Sequence, residues 1–190
     1  RLLRRTGQPV VVGVDEVGRG ALGGPVTVGA VLVGVGTPSA PRGLRDSKLL
    51  RPDARARLVP HIYAWAPAVA VAHASAVEID TLGILGALNL AARRALAALP
   101  VTPRLVLLDG NYDWLGRNGQ QQLWPDGVEL TDGPDNPPLP EGLHVVTRVK
   151  ADVHCASVAA ASVVAKTCRD QIMQGLAAGF PAYGWASNKG

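Results

Sequence analysis

A run of apolar, β-branched residues that halts at two adjacent carboxylates and then turns through glycines constrains this chain more than any other stretch. It reads VVGVDEVGRGALGG over residues 11–24. Val10, Val11, Val12 and Val14 favour a strand, and their near-continuous apolarity is that of a strand covered on both faces. Side chains alternate across a strand, so Asp15 and Glu16 cannot both enter a core. The strand's end is where both can meet solvent and a cation. Gly18, Gly20, Gly23 and Gly24 then leave the backbone bare, open to close approach by another backbone or a sugar.

Two other readings compete for these residues. Gly18-Arg19-Gly20-Ala21-Leu22-Gly23 has the form G-x-G-x-x-G, a dinucleotide-binding turn. That turn requires a following helix, whereas Pro25 to Val33 reads as a second strand, and no acid stands about 20 residues further on. A plain charged hairpin explains the glycines but not why two acids end a buried strand.

The same logic recurs at Pro103 to Asp109, a second buried strand closing on an acid. In open α/β sheets ligands bind beyond the carboxyl ends of such strands, so Asp15 and Asp109 can converge. The first two strands form an antiparallel pair, and residues 34–44 make a Gly/Pro-rich loop leading to Lys48. Pro52 to Val59 is expected to be a helix, Ala64 to Ser75 an edge strand, and Glu78 to Leu99 one or two helices. His144 to Val149 reads as a short strand. Asp152 to Ala178 reads as a long Ala-rich helix, with any interruption near Gly175 and with Asp152 at its first turn. Residues 110–142, rich in Gly, Pro, Asn and Asp, are expected to be a surface insertion.

Asp15, Glu16, Asp109 and Asp152 thus each stand at the boundary of an element. Acids gathered in one cleft repel one another unless cations intervene, and Mg2+ and Mn2+ take oxygen ligands. Bland roles stay open: Asp152 as a helix cap, Asp109-Gly110 as a turn opener. Asp170 is excluded, since 18 residues of continuous helix separate it from Asp152, roughly 27 Å. Asp113, Asp126, Asp132 and Asp135 are expected to be solvated loop acids. His61, His73, His144 and His154 show no ligand spacing, although His154 is near enough to Asp152 to support it. Arg19, Lys48 and Lys150 can hold phosphates on either side of a scissile bond, or form only a solvated rim.

The chain has 190 residues, enough for one domain with a sizeable core, and a formal charge of +4 that suits a polyanionic partner. No G-x-S-x-G, H-E-x-x-H or Walker lysine occurs, which removes serine hydrolases, zincins and P-loop ATPases. No membrane span or secretory signal is evident, so a cytoplasmic protein and a monomer are expected. Cys155 and Cys168 lack a C-x-x-C pattern and are expected to be reduced, buried thiols. The opening without Met and the stop at Gly190 suggest a piece of a longer protein.

GVDEVGRGALGGPV at 13–26, RDSKLL at 45–50, LLDG at 107–110 and KADVHCASVAAASVVAKTCRD at 150–170 together resemble type 2 ribonuclease H, ribonuclease HII. The resemblance implies a ribonuclease H-like α/β fold: a five-stranded mixed sheet, three strands antiparallel and two parallel, flanked by helices. It implies a single catalytic domain over 1–190 without the family's C-terminal helical segment. It also implies metal binding and catalysis by Asp15, Glu16, Asp109 and Asp152 with two Mn2+ or Mg2+ ions, and reading of the ribose 2′-hydroxyl by Gly18, Arg19 and Gly20. Lys48 would lie by the substrate backbone. The implied activity is endonucleolytic cleavage of RNA in RNA/DNA hybrids and nicking of duplex DNA 5′ of an embedded ribonucleotide, leaving 3′-hydroxyl and 5′-phosphate ends. The chain departs from the pattern at Gly83 and Ala151, and the family's tyrosine after Asn188-Lys189-Gly190 would be the next residue. A nuclease of similar fold acting on damaged DNA, and a non-catalytic nucleic-acid-binding module, are the alternatives.

Overall fold

The computed structural model describes residues 6–116 and 132–188. Asp126 and the rest of 117–131, the lead-in 1–5, and Lys189 with Gly190 lie outside the described residues.

Five strands form one mixed sheet: β1 (Val10–Val17), β2 (Val26–Gly34), β3 (Ala68–Ala74), β4 (Leu105–Asp109) and β5 (His144–Arg148). Their order is β3-β2-β1-β4-β5. β1 pairs antiparallel with β2, and β2 antiparallel with β3, which takes the expected edge position. β1–β4 and β4–β5 are parallel. The β1–β4 register sets Val14 against Leu108, so the carboxyl ends of both strands, with Asp15 and Asp109, reach one edge of the sheet together.

Alternation along β1 sorts its residues between two layers. Val12 and Val14 enter a core with Val106, Leu108 and the helix α2 (Ala76–Ala97). Val11 joins Leu105, Leu107 and Val158 on the opposite face. That face is covered by α1 (Pro52–Trp65), the short α3 (Ala151–His154) and the long α4 (Ala156–Ala177). Two glycines let α4 lie close: a Cβ at Gly13 would stand 2.5 Å from Ser157, and one at Gly29 would strike the carbonyl of Ala161. A further short helix, α5 (Trp185–Asn188), follows the end of α4.

Three boundaries differ from the sequence reading. β1 runs on to Val17, because Glu16 and Val17 still pair with Val28 and Thr27. α1 passes through Pro60 to Trp65, taking residues expected in β3. Pro60 gives up a helical hydrogen bond, but Leu58, Ile62 and Ala66 repeat at four-residue spacing on the buried face and hold the helix down. α2 takes the two-helix form of the expected one or two, its pieces meeting at Gly83, whose φ of 70° and ψ of 166° are open essentially to glycine alone. The Ala-rich segment after Asp152 breaks at extended Cys155 rather than near Gly175.

The described flanks of 110–142 are largely exposed or half-buried but put a few residues into the core. Trp114 and Leu115 are fully buried, their carbonyls bound by the amide of Asn89, and Leu139 joins the same core. Cys155 and Cys168 are free and half-buried rather than buried. Among the described residues no helix is long and apolar enough to cross a membrane.

Candidate active site

Asp15 lies on the α4 face of β1 and is only 4% exposed, not at a solvent-facing strand end as its position beside Glu16 suggested. Its Oδ1 accepts from the Glu16 amide at 2.9 Å, and the Ser162 hydroxyl of α4 also donates to it. Asp109, by the same alternation along β4, shares that face. Its Oδ1 accepts from the Ala151 amide at 2.6 Å and from the Asp152 amide at 3.5 Å. The chain reaches Ala151 from β5 through Lys150, whose left-handed backbone (φ 57°) turns it sharply into α3. That turn brings buried Asp152 back beside Asp109. Glu16 points to the α2 face, its carboxylate 3.9 Å from the Arg19 guanidinium.

The acids feel one another. Burial first, then Glu16 and Asp109, push the Asp15 carboxyl well above the ordinary carboxylate range. Burial and then Asp109 raise Asp152, and burial raises Glu16 despite Arg19. Burial alone would depress Lys48, but Asp46, Asp15, Asp152 and Asp109 together raise it. Lys48 thus faces these carboxylates as a cation, as Arg19 faces Glu16.

Asp109, Asp152, Lys48, Lys150 and His154 line an open cleft of roughly 750 Å³. Asp46 lines it too and was missed in the sequence; its signal was the Asp-x-Lys spacing, since Asp46 Oδ1 accepts from the Lys48 amide at 2.9 Å and fixes that turn. Ser162 was also missed, because a serine inside an Ala-rich helix carries no local mark. Its hydroxyl also lies 2.8 Å from that of Ser47, which can donate to it in turn, tying β1 to the Lys48 turn.

Gly18, Arg19 and Gly20 follow directly beyond Val17. Gly18 has φ 97°, and a Cβ at Gly20 would meet nothing within 4 Å, so that face of the turn is open. Asp113, Asp132 and Asp170, set aside earlier, have partners elsewhere in the fold. Asp113 caps its own turn at Leu115 and Gly116, Asp132 pairs with Arg93, and Asp170 pairs with Arg55 and Lys166.

The donor set suits a hard divalent cation: carboxylate oxygens, one of them the buried Glu16 Oε2, which has no hydrogen-bond partner among the described residues. No three His, Cys, Asp or Glu side chains among the described residues already stand as a converged ligand set.

The family model described as Ribonuclease HII matches residues 12–190. A protein named Ribonuclease HII from Streptomyces avermitilis is 44% identical over 185 residues, covering 97% of this chain and 68% of its own length. One of the same name from Ruegeria sp. is 44% identical over 182 residues, covering 95% and 67%. The crystal structure of ribonuclease H2 from Pyrococcus horikoshii superposes with a TM-score of 0.65 over 89% of this chain and 76% of that one; at 24% identity it shows the shared ribonuclease H-like fold.

Proposed function

Since this chain belongs to the ribonuclease HII family, a family of metal-dependent endoribonucleases acting on RNA/DNA hybrids, we propose that Asp15, Glu16, Asp109 and Asp152 are its catalytic acids and that it nicks duplex DNA 5′ of an embedded ribonucleotide. The observation that supports this most is the parallel β1–β4 register, which delivers Asp15 and Asp109 to one face of one sheet edge beside Asp152. Those carboxylates would hold two divalent ions, Mn2+ or Mg2+, which when bound activate water and stabilise the leaving 3′ oxygen, giving 3′-hydroxyl and 5′-phosphate ends.

The chain's own residues do the positioning. Ser162 and the Glu16 amide fix the Asp15 carboxylate, and the Ala151 amide fixes that of Asp109. Glu16 serves partly through its backbone carbonyl, since its side chain lies across the strand from Asp15. Lys48, kept charged by the surrounding acids, holds a phosphate of the substrate backbone at the rim of the cleft. The open backbone of Gly18, Arg19 and Gly20 reads the ribose 2′-hydroxyl, the group that tells RNA from DNA at a site.

The test is a DNA duplex carrying one ribonucleotide, incubated with Mn2+ or Mg2+ and with chelator. Cation-dependent nicking 5′ of the ribonucleotide is expected, and equal cutting of the all-deoxy duplex would overturn the reading.

A further inference from the structure

We propose that Arg169 is the positioning residue of the glycine turn, its guanidinium fixing the backbone path that decides how strongly the site favours a 2′-hydroxyl. The proposal rests on the glycine turn being the ribose reader.

Arg169 projects from α4 and is 2% exposed. Its Nε donates to the carbonyl of Pro25 at 2.8 Å and its Nη2 to the carbonyl of Gly23 at 2.9 Å. Two donors on one edge of a rigid planar group thus grip two carbonyls of one loop, a geometry that lysine cannot reproduce. The missing side chain at Gly18 makes the room: a Cβ there would stand 2.5 Å from Arg169 Nε. Met173, one turn further along α4, fills the space that a Cβ at Gly24 would need, and the Trp185 ring lies 3.0 Å from where one at Gly23 would be.

Inside the turn, the Ala21 amide donates to the Gly18 carbonyl at 3.1 Å. A segment so rich in glycine loses much conformational entropy when ordered. Holding it in place before substrate arrives removes that cost from binding. The next residue, Asp170, binds Arg55, which donates to the carbonyls of Ser47 at 3.2 Å and Leu50 at 2.8 Å. Adjacent residues of one helix therefore set the glycine turn and the Lys48 turn on the same frame.

The experiment compares the full chain with Arg169→Lys. Amide hydrogen exchange follows the turn (Ala21 to Gly24) against the core of β1 (Val12, Val14). Kinetics give KM for a duplex with one ribonucleotide, the inhibition constant of the all-deoxy duplex, and the half-saturating Mn2+ concentration. Arg169→Lys should expose the turn amides alone and raise KM about tenfold, leaving the other two constants unchanged. Arg169→Gln, whose shorter side chain cannot grip both carbonyls, should show the same split if Arg169→Lys does not fold. Ile62→Val, a core destabilisation distant from the turn, should not. Unchanged protection of the turn amides overturns the proposal. Lost protection with KM and the inhibition constant rising together also overturns it, and places the fault in the ribose-reading assignment.

Discussion

The carboxylate of Asp109 accepts a hydrogen bond from the backbone amide of Ala151 at 2.6 Å, so the acid that closes β4 also anchors the turn that carries Asp152. Removing Asp109 therefore removes two things at once. Asp109→Asn keeps an acceptor for the Ala151 amide and should fold like the parent while losing nuclease activity. Asp109→Ala should also lose stability, by about 1 kcal/mol for the orphaned amide. Equal melting temperatures for the two variants would contradict this dual role.

Asp15→Asn should lower the cleavage rate roughly a thousandfold or more. The fold should survive, because the amide oxygen still accepts from Glu16 and Ser162. Burial and like charge hold the Asp15 carboxyl high, so a neutral residue relieves strain, and melting in chelator should be unchanged or higher. Near-normal turnover would refute the site.

Added Mn2+ or Mg2+ should stabilise the parent protein, by about 2.7 kcal/mol at a hundred times the dissociation constant. The carboxyls of Asp15, Glu16 and Asp152 are raised in the fold, so without cation their charges destabilise it at neutral pH and protonation relieves this on acidification. Protons and cation compete, and the thermal shift should fade as pH falls. A cation-induced shift that persists in Asp15→Asn would argue for binding elsewhere.

Gly20→Ala meets no neighbour, so its unfolding free energy should match that of the parent to within about 0.5 kcal/mol. If the ribose approaches this backbone, kcat/KM on a single-ribonucleotide duplex should nevertheless drop about tenfold. Full activity would show that substrate does not come close here.

Far from the cleft, Arg94 bonds Glu78 at 2.6 Å and pulls its carboxyl down to about 2 from the ordinary 4.5, helped by the Ser75 cap of α2. A depressed carboxylate stabilises the fold fully above its unfolded value. That contribution should disappear as pH falls from 4.5 toward 2. Glu78→Gln should flatten the acid-unfolding curve across that window and cost about 1 kcal/mol at neutral pH. An identical acid limb in both proteins would discount the pair.

The strand at Val10–Asp15, its echo at Pro103–Asp109 and the open glycine turn were legible because each is written in near neighbours: β-branched runs, an acid at a boundary, residues without a side chain. The motifs carried the family and the fold with them. The break at Cys155 and the passage of α1 through Pro60 were not legible, since buried contacts outweigh local propensity there. Nor were the long-range partners of Arg169, Asp170 and Ser162, which stand 115 to 147 positions away. Local pattern thus determined which residues could do the chemistry. Only the packing of α4 on the sheet decided which of them share a face and what holds them there, because hydrogen bonds across such separations leave no periodic trace along the chain.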